Sequence, residues 1–208
     1  MRDRDDSTTG SPAASAPANA TPTPVERMRP LGPTEMTEAQ RAAAEELTAG
    51  PRGGVRGPFI PLLRSPELLR HLRPVGDYLR FGSVLEPRIR ELLVLLVSRQ
   101  WTQQFEWGVH RPLAEAAGLS GRTLAALADG RRPAAMADDE QAAYDLAEEL
   151  IRTHGVSDET YGRAAAIFGE QGIVEIVGIL GYFTTMAMVL NVAHTPPEGA
   201  PGLAAFPR

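Results

Sequence analysis

Apolar positions between residues 34 and 195 recur at spacings of three and four, the period of helices packed through one face, and nowhere alternate as in a strand. Thr37 with Gln40 forms a capping-box pattern, and the helix it opens runs to a stop at Gly50. A Gly/Pro-rich loop from Gly50 to Pro61 follows, with Phe59 and Ile60 placed to anchor it. Ser65-Pro66-Glu67 has the order N-cap, N1 proline, first-turn acid, and starts a helix reaching about Arg80. Pro87 opens the next helix, whose run Leu92 to Val97 is too apolar to face water. Trp101 to Ala117 is expected as another, stopped by Gly118 and kinked or broken at Pro112. Ser120 caps a short helix to Ala128. From Asp138 to His154 the pattern is cleanly amphipathic, with Ala142, Leu146, Leu150 and Ile151 on one face and Gly155 as terminator. Ser157 caps one more short helix, and a separate apolar helix runs from Gly172 to Ala193. The expected class is all-α.

That last helix is apolar enough to suggest a membrane span, but it carries Glu175 and Thr184–Thr185, and a charge inside a bilayer is costly. It is expected instead in the core or at a subunit interface. Because it is apolar nearly all round, covering it is easier with a neighbouring subunit than within one small domain. The ends are different. Residues 1–33, rich in Ser, Thr, Ala, Pro and Gly, have the composition of a disordered tail. Residues 196–208, with Pro196, Pro197, Pro201 and Pro207, form an irregular C-terminal tail, which leaves 34–195 as the helical domain.

Charge and composition narrow the chemistry. A net charge of -5 leaves no basic excess to neutralise phosphates, so a nucleic-acid partner is not expected. All 21 basic residues are arginine, which removes lysine Schiff-base chemistry. With no cysteine, thiolate catalysis, disulfides and iron–sulfur clusters are excluded. Arg2 and Arg4 precede no apolar run, so no secretory signal is expected, and the cytoplasm is the expected location. There is no Gly-rich phosphate loop and no nucleophilic-serine elbow. Ser98 is best explained as a helix residue bonded back to its own backbone.

What remains is one constellation. Gln103, Glu106 and His110 are spaced three and four apart, which stacks them on one helix face. A carboxylate beside an imidazole raises its pKa and fixes its orientation. Phe105 and Trp107 flank that face as an apolar wall, and Glu91 lies on the preceding helix, turned inward by its neighbours. Spacing alone fits either an acid/base site or a solvated surface pair. The other histidines, His71, His154 and His194, have no ligand spacing to His110, so no metal site is expected.

From Gly57 to about Asn191 the chain resembles the carboxymuconolactone decarboxylase family, which includes the alkylhydroperoxidase D proteins. The resemblance is carried by Gly57-Pro58-Phe59, Ser65-Pro66-Glu67-Leu68, Gly76-Asp77-Tyr78-Leu79-Arg80 and Arg90-Glu91-Leu92. It continues through Phe105-Glu106-Trp107 with His110, Ala114 to Leu119, and Gly181-Tyr182. It implies an alkylhydroperoxidase D-like helical domain assembled as a homotrimer or homohexamer. The peroxidase branch has an acid, a Cys-x-x-Cys pair and a His. Those positions fall here on Glu91, on Gln103 and Glu106, and on His110, so the dithiol is replaced and the acid–His relay is kept.

The resemblance thus implies a cofactor-independent decarboxylase of a small lactone or keto acid, with 4-carboxymuconolactone as the family's substrate. His110 would be the general acid/base, Glu106 its orienting partner and Glu91 a second relay carboxylate. Gln103, Trp107, Arg80, Arg99 and Arg111 are the substrate-binding candidates, the arginines because guanidinium suits a carboxylate. The alternatives are isomerisation or lactone opening in the same pocket, and a non-catalytic helical oligomer acting as a binding or scaffold protein. Thiol peroxidase activity is not expected.

Overall fold

A computed structural model describes residues 25–197. The expectations for residues 1–24 and 198–208 lie outside the described residues. Among the described residues the fold is all helical: α1 (Glu38–Ala49), α2 (Phe59–Leu62), α3 (Pro66–Asp77), a π-helical turn (Tyr78–Gly82), α4 (Pro87–Gln100), α5 (Gln104–Ala116), α6 (Gly121–Ala128), α7 (Asp138–Thr153) and α8 (Asp158–Ala193).

Helix α4 is the centre of the bundle and packs against α5, α6, α7 and α8. Its run Leu92, Leu93, Val94, Leu95 and Val97 is buried on every side, because the neighbouring helices surround it. Burying each such side chain stabilises the fold by about 1.5–3 kcal/mol. Ser98 is buried in the same run and donates to the Val94 carbonyl at 2.8 Å, the back-bond expected of it. Thr37 and Gln40 exchange hydrogen bonds at the start of α1, and Ser120 and Ser157 cap α6 and α8 as expected, whereas Ser65 precedes α3 without a capping bond from its side chain. His154, in left-handed geometry, closes α7 just before Gly155.

Three features differ from the periodicity. Helix α3 stops at Asp77, and Tyr78–Gly82 winds more widely as a π turn, which carries Arg80 and the exposed Phe81 beside a cavity. Trp101–Gln103 is a turn rather than the first turn of α5, with Thr102 at φ 49. Pro112 lies within α5 and does not end it. The two helices expected after Ser157 are both present within Asp158–Ala193 and meet at Gly169, whose φ of 66 and ψ of 175 only glycine adopts freely.

Described residues before 34 also dock on the fold. Arg27 N–H donates to the Ala193 carbonyl at 2.8 Å, and Arg64 donates to the Arg29 carbonyl at 2.6 Å. Arg29 itself pairs with Glu35 at 2.5 Å. Backbone groups and arginines dock this segment, a kind of contact that a hydrophobic pattern does not register.

Helix α8 is long and apolar enough to cross a membrane by length and composition. One side of it packs on α4 and α7, burying Ile176, Ile179, Met186 and Leu190. Its opposite side exposes Val174, Val177, Met188 and Val192.

Candidate active site

The hairpin of α4 and α5 builds the site. Gln103 N–H donates to the Ser98 carbonyl at 2.8 Å, and the Gln103 side chain caps α5 by accepting from Phe105 N–H at 2.7 Å. Its amide also donates to Asn191 at 2.8 Å, while Asn191 donates to the Trp101 carbonyl at 3.0 Å. The hairpin turn is thereby tied to α8, and α4 and α5 run back along each other so that Glu91 faces His110.

His110 lies between two carboxylates. Its Nδ1 is 2.7 Å from Glu91 Oε2, and its Nε2 is 3.4 Å from Glu106 Oε2. His110 and Glu106 are each only 4% exposed, so the pair is a buried one and not a solvated surface pair. Burial by itself pulls the imidazole pKa down; Glu106 and Glu91 together more than offset this and raise it to about 9. The two carboxylates thus favour the imidazolium over the neutral ring. The Phe183 ring meets His110 edge-on at 5.1 Å and restricts its rotation.

Glu106 and His110 line a cavity of about 360 Å³. Its other polar walls are Arg52, Arg56, Arg80 and Tyr182. Phe59, Phe81, Phe105, Phe183 and Met186 supply apolar surface. Arg52 is held in place by its Nε–H to Asp77 at 2.8 Å and by the Phe59 ring beneath its guanidinium at 4.6 Å. The arrangement can hold an anion against arginine, exclude water from part of its surface, and hand a proton to or from an imidazole. Among the described residues no group of three or more His, Asp or Glu is arranged to share a metal ion.

Of the residues singled out by sequence, the structure brings Glu91, Glu106, His110 and Arg80 together. The other four lie elsewhere. Gln103 is spent on capping α5 and on Asn191. Trp107 is fully buried in the core behind the site. Arg99 lies in a second hollow between α4 and α7, beside Gly130 and Tyr144. Arg111 is exposed and paired with Glu115 at 3.1 Å. Arg52, Arg56 and Tyr182 were missed because they come from an aperiodic loop and from a helix expected in the core or at a subunit interface. The alternation of Arg52 and Arg56 with Pro and Gly just before Phe59 was the available signal.

Comparison with known proteins follows the same outline. Residues 66–149 match the profile of the carboxymuconolactone decarboxylase family. No curated protein matches the chain by sequence. Among solved structures, the chain is similar to an alkylhydroperoxidase AhpD core, an uncharacterised peroxidase-related protein from Ralstonia eutropha. The TM-score is 0.68 at 17% identity, over 84% of this chain and 93% of that one. It is also similar to a protein of unknown function from Agrobacterium tumefaciens, a candidate antioxidant defence protein AhpD. There the TM-score is 0.59 at 19% identity, over 67% of this chain and 96% of that one. At these identities the likeness is one of fold, and the fold is AhpD-like.

Proposed function

We propose, for a chain that belongs to the carboxymuconolactone decarboxylase family, a cofactor-independent decarboxylase that uses His110 as its proton carrier on a small lactone or keto acid. The observation that carries this reading is the buried His110 ring between Glu91 and Glu106 at the wall of an arginine-lined cavity. A scaffold has no need of such a group, and burying a charge without function is costly.

The geometry favours roles different from those the resemblance implies. Glu91, at the shorter distance and on the nitrogen away from the cavity, orients the ring. Glu106, longer and on the cavity side, is the carboxylate through which the proton passes. Arg80 and Arg56 bind the substrate carboxylate that is retained, while the apolar wall disfavours the carboxylate that departs, since CO₂ is neutral. Decarboxylation of a substrate that delocalises the remaining electron pair leaves one task for the protein, delivery of a proton to carbon, and the imidazolium is charged for it.

The exposed apolar side of α8, with Val174, Val177, Met188 and Val192, supports a homo-oligomer, proposed as a trimer or hexamer. Sedimentation at micromolar concentration checks it, and a compact monomer would rule it out. The reaction is tested by CO₂ release from 4-carboxymuconolactone, with a β-keto acid as second substrate, by the wild-type chain and His110→Gln. Release that depends on His110 supports the reading. Release unchanged in the variant removes its role, and conversion of the lactone without CO₂ points to isomerisation or lactone opening.

A further inference from the structure

The cavity beside His110 is aromatic to a degree that the fold does not require. Four of the chain's six phenylalanines line it: Phe59, Phe81, Phe105 and Phe183. The chain-wide share, six in 208 residues, would place none or one among its fifteen lining residues. None of the described leucines or isoleucines lines it, although leucine dominates the core. The wall is therefore not a cut through the core. Phe59 and Phe183 pack with the core, but Phe81 and Phe105 stand outside it, and Phe81 is 56% exposed. Core packing does not account for their place.

Local structure holds these rings at the cavity. A Cβ at residue 57 would lie 2.4 Å from Phe105 Cε1 and 2.6 Å from its Cζ, so Gly57, at φ 52, leaves the ring its place against the loop. The neighbours of Gly57, Arg56 and Pro58, line the same cavity. The π turn carries Phe81 together with Arg80. Phe183 meets the His110 ring edge-on at 5.1 Å, which puts aromatic surface beside the proton carrier. The Arg52 guanidinium lies over the Phe59 ring at 4.6 Å. Guanidinium pairs with carboxylates through its edge and stacks on aromatic faces. Arginines interleaved with phenylalanines therefore suit one ligand chemistry, a carboxylate joined to a flat π system. A volume of about 360 Å³ lies within the roughly 300–1,000 Å³ of small-molecule sites and accommodates an aryl ring with a keto acid arm.

We infer that the substrate is an aryl β-keto acid. Its ring lies among the four phenylalanines, a carboxylate on the ring pairs with Arg56 and Arg80, and the departing carboxylate is β to a ketone conjugated with the ring. The inference names a substrate class for the decarboxylase reading above and rests on it. The C–C bond to the departing carboxylate breaks, CO₂ leaves without the bonding pair, and the pair becomes an enolate conjugated with the ring. His110 gives its proton to the α carbon, the carbonyl reforms as an aryl methyl ketone, and His110 regains a proton from solvent. No electrons are gained or lost, and no co-reactant is needed.

The test measures binding to the full chain by calorimetry, with two acids. One is 4-acetylbenzoate, the product such a reaction leaves; the other is trans-4-acetylcyclohexanecarboxylate, the same skeleton with its ring saturated. Wild type is expected to bind the aryl acid about tenfold more tightly, because ring–ring contacts add to area burial. Phe105→Leu, which keeps an apolar side chain and removes the ring, is expected to abolish most of that preference. Phe81→Leu, at an exposed position where folding is not at risk, is expected to reduce it. Arg111→Gln is the control that keeps it. No binding of either acid, equal or tighter binding of the saturated acid, or the full preference in both phenylalanine variants overturns the inference. CO₂ release above the spontaneous rate, from 3-(4-carboxyphenyl)-3-oxopropanoate and from the lactone, separates the two claims. An aryl preference in binding without release from any acid removes the decarboxylase reading and leaves an aryl-acid site. His110-dependent release from the lactone without an aryl preference does the reverse.

Discussion

Glu106 and Glu175 are buried almost equally, 4% and 5% exposed, on helices that both pack against α4, yet their surroundings have little in common. Glu175 accepts four hydrogen bonds, from Tyr78 and Ser83 hydroxyls at 2.6 Å, the Val84 N–H at 2.8 Å and the Gln171 amide at 2.9 Å. Burial alone would raise its pKa, but these donors hold it at about 2. None of them is charged, so the carboxylate is saturated and has no proton to exchange near neutrality. It fastens the π turn, and with it Arg80 and Phe81, to α8. Glu106 faces a titratable imidazole and a cavity. Burial does not distinguish a structural carboxylate from a reactive one; the titratability of the partner and access to a ligand do.

The sharpest way to break this contrast is to remove the titratable partner. His110→Gln is expected to lower turnover of the lactone acid by about 10²–10⁴-fold, in a protein that stays folded by circular dichroism. Glu175→Ala should do the opposite. It leaves several donors unsatisfied in a buried place, so a denaturant midpoint is expected to report a loss of about 3 kcal/mol, with turnover per folded molecule within tenfold.

Smaller changes sharpen the comparison. Glu91→Gln removes one of the two charges that raise the His110 pKa; turnover is expected to fall about tenfold, and the alkaline limb of the pH profile moves down. In wild type that limb lies near 9, where the imidazolium is lost. The same shift contributes stability that is fully present below the ordinary 6.5 and disappears as pH rises through about 9. Glu175 has the other sign. Its pKa is depressed, so its contribution is present above the ordinary 4.5 and is lost as pH falls toward about 2, which urea midpoints across that range measure. The smallest effect belongs to Arg111→Gln, an exposed site, where stability is expected to change by less than about 0.5 kcal/mol and turnover by no measurable amount.

The helical class, the caps and the apolar α4 were legible because they are local: a capping residue and a 3.6-residue period lie within one stretch of sequence. The Glu106–His110 pair was legible for the same reason. Glu91 needed the extra step that α4 and α5 fold back on each other, which the apolar run supports. Gln103 was misplaced because spacing assumes an unbroken helix, and Thr102 at φ 49 breaks it one residue earlier. Arg99 was misplaced because the last turn of α4 faces α7 rather than the site. Arg52 and Tyr182 depend on contacts across the fold, Arg52 with Asp77 and Tyr182 with the space above Gly76. No periodicity in their own neighbourhoods records these. Glu175 was seen only as an interruption of an apolar helix, since its donors Tyr78, Ser83 and Val84 lie far away in sequence.

The account turns on His110 carrying a proton at neutral pH between two carboxylates. Imidazole carbon shifts followed by NMR across a pH titration of the wild-type protein, assigned with His110→Gln, test this without any substrate. The expected result is a His110 transition near 9, moved down in Glu91→Gln. A transition at or below the ordinary 6.5, unmoved by that substitution, would contradict the account.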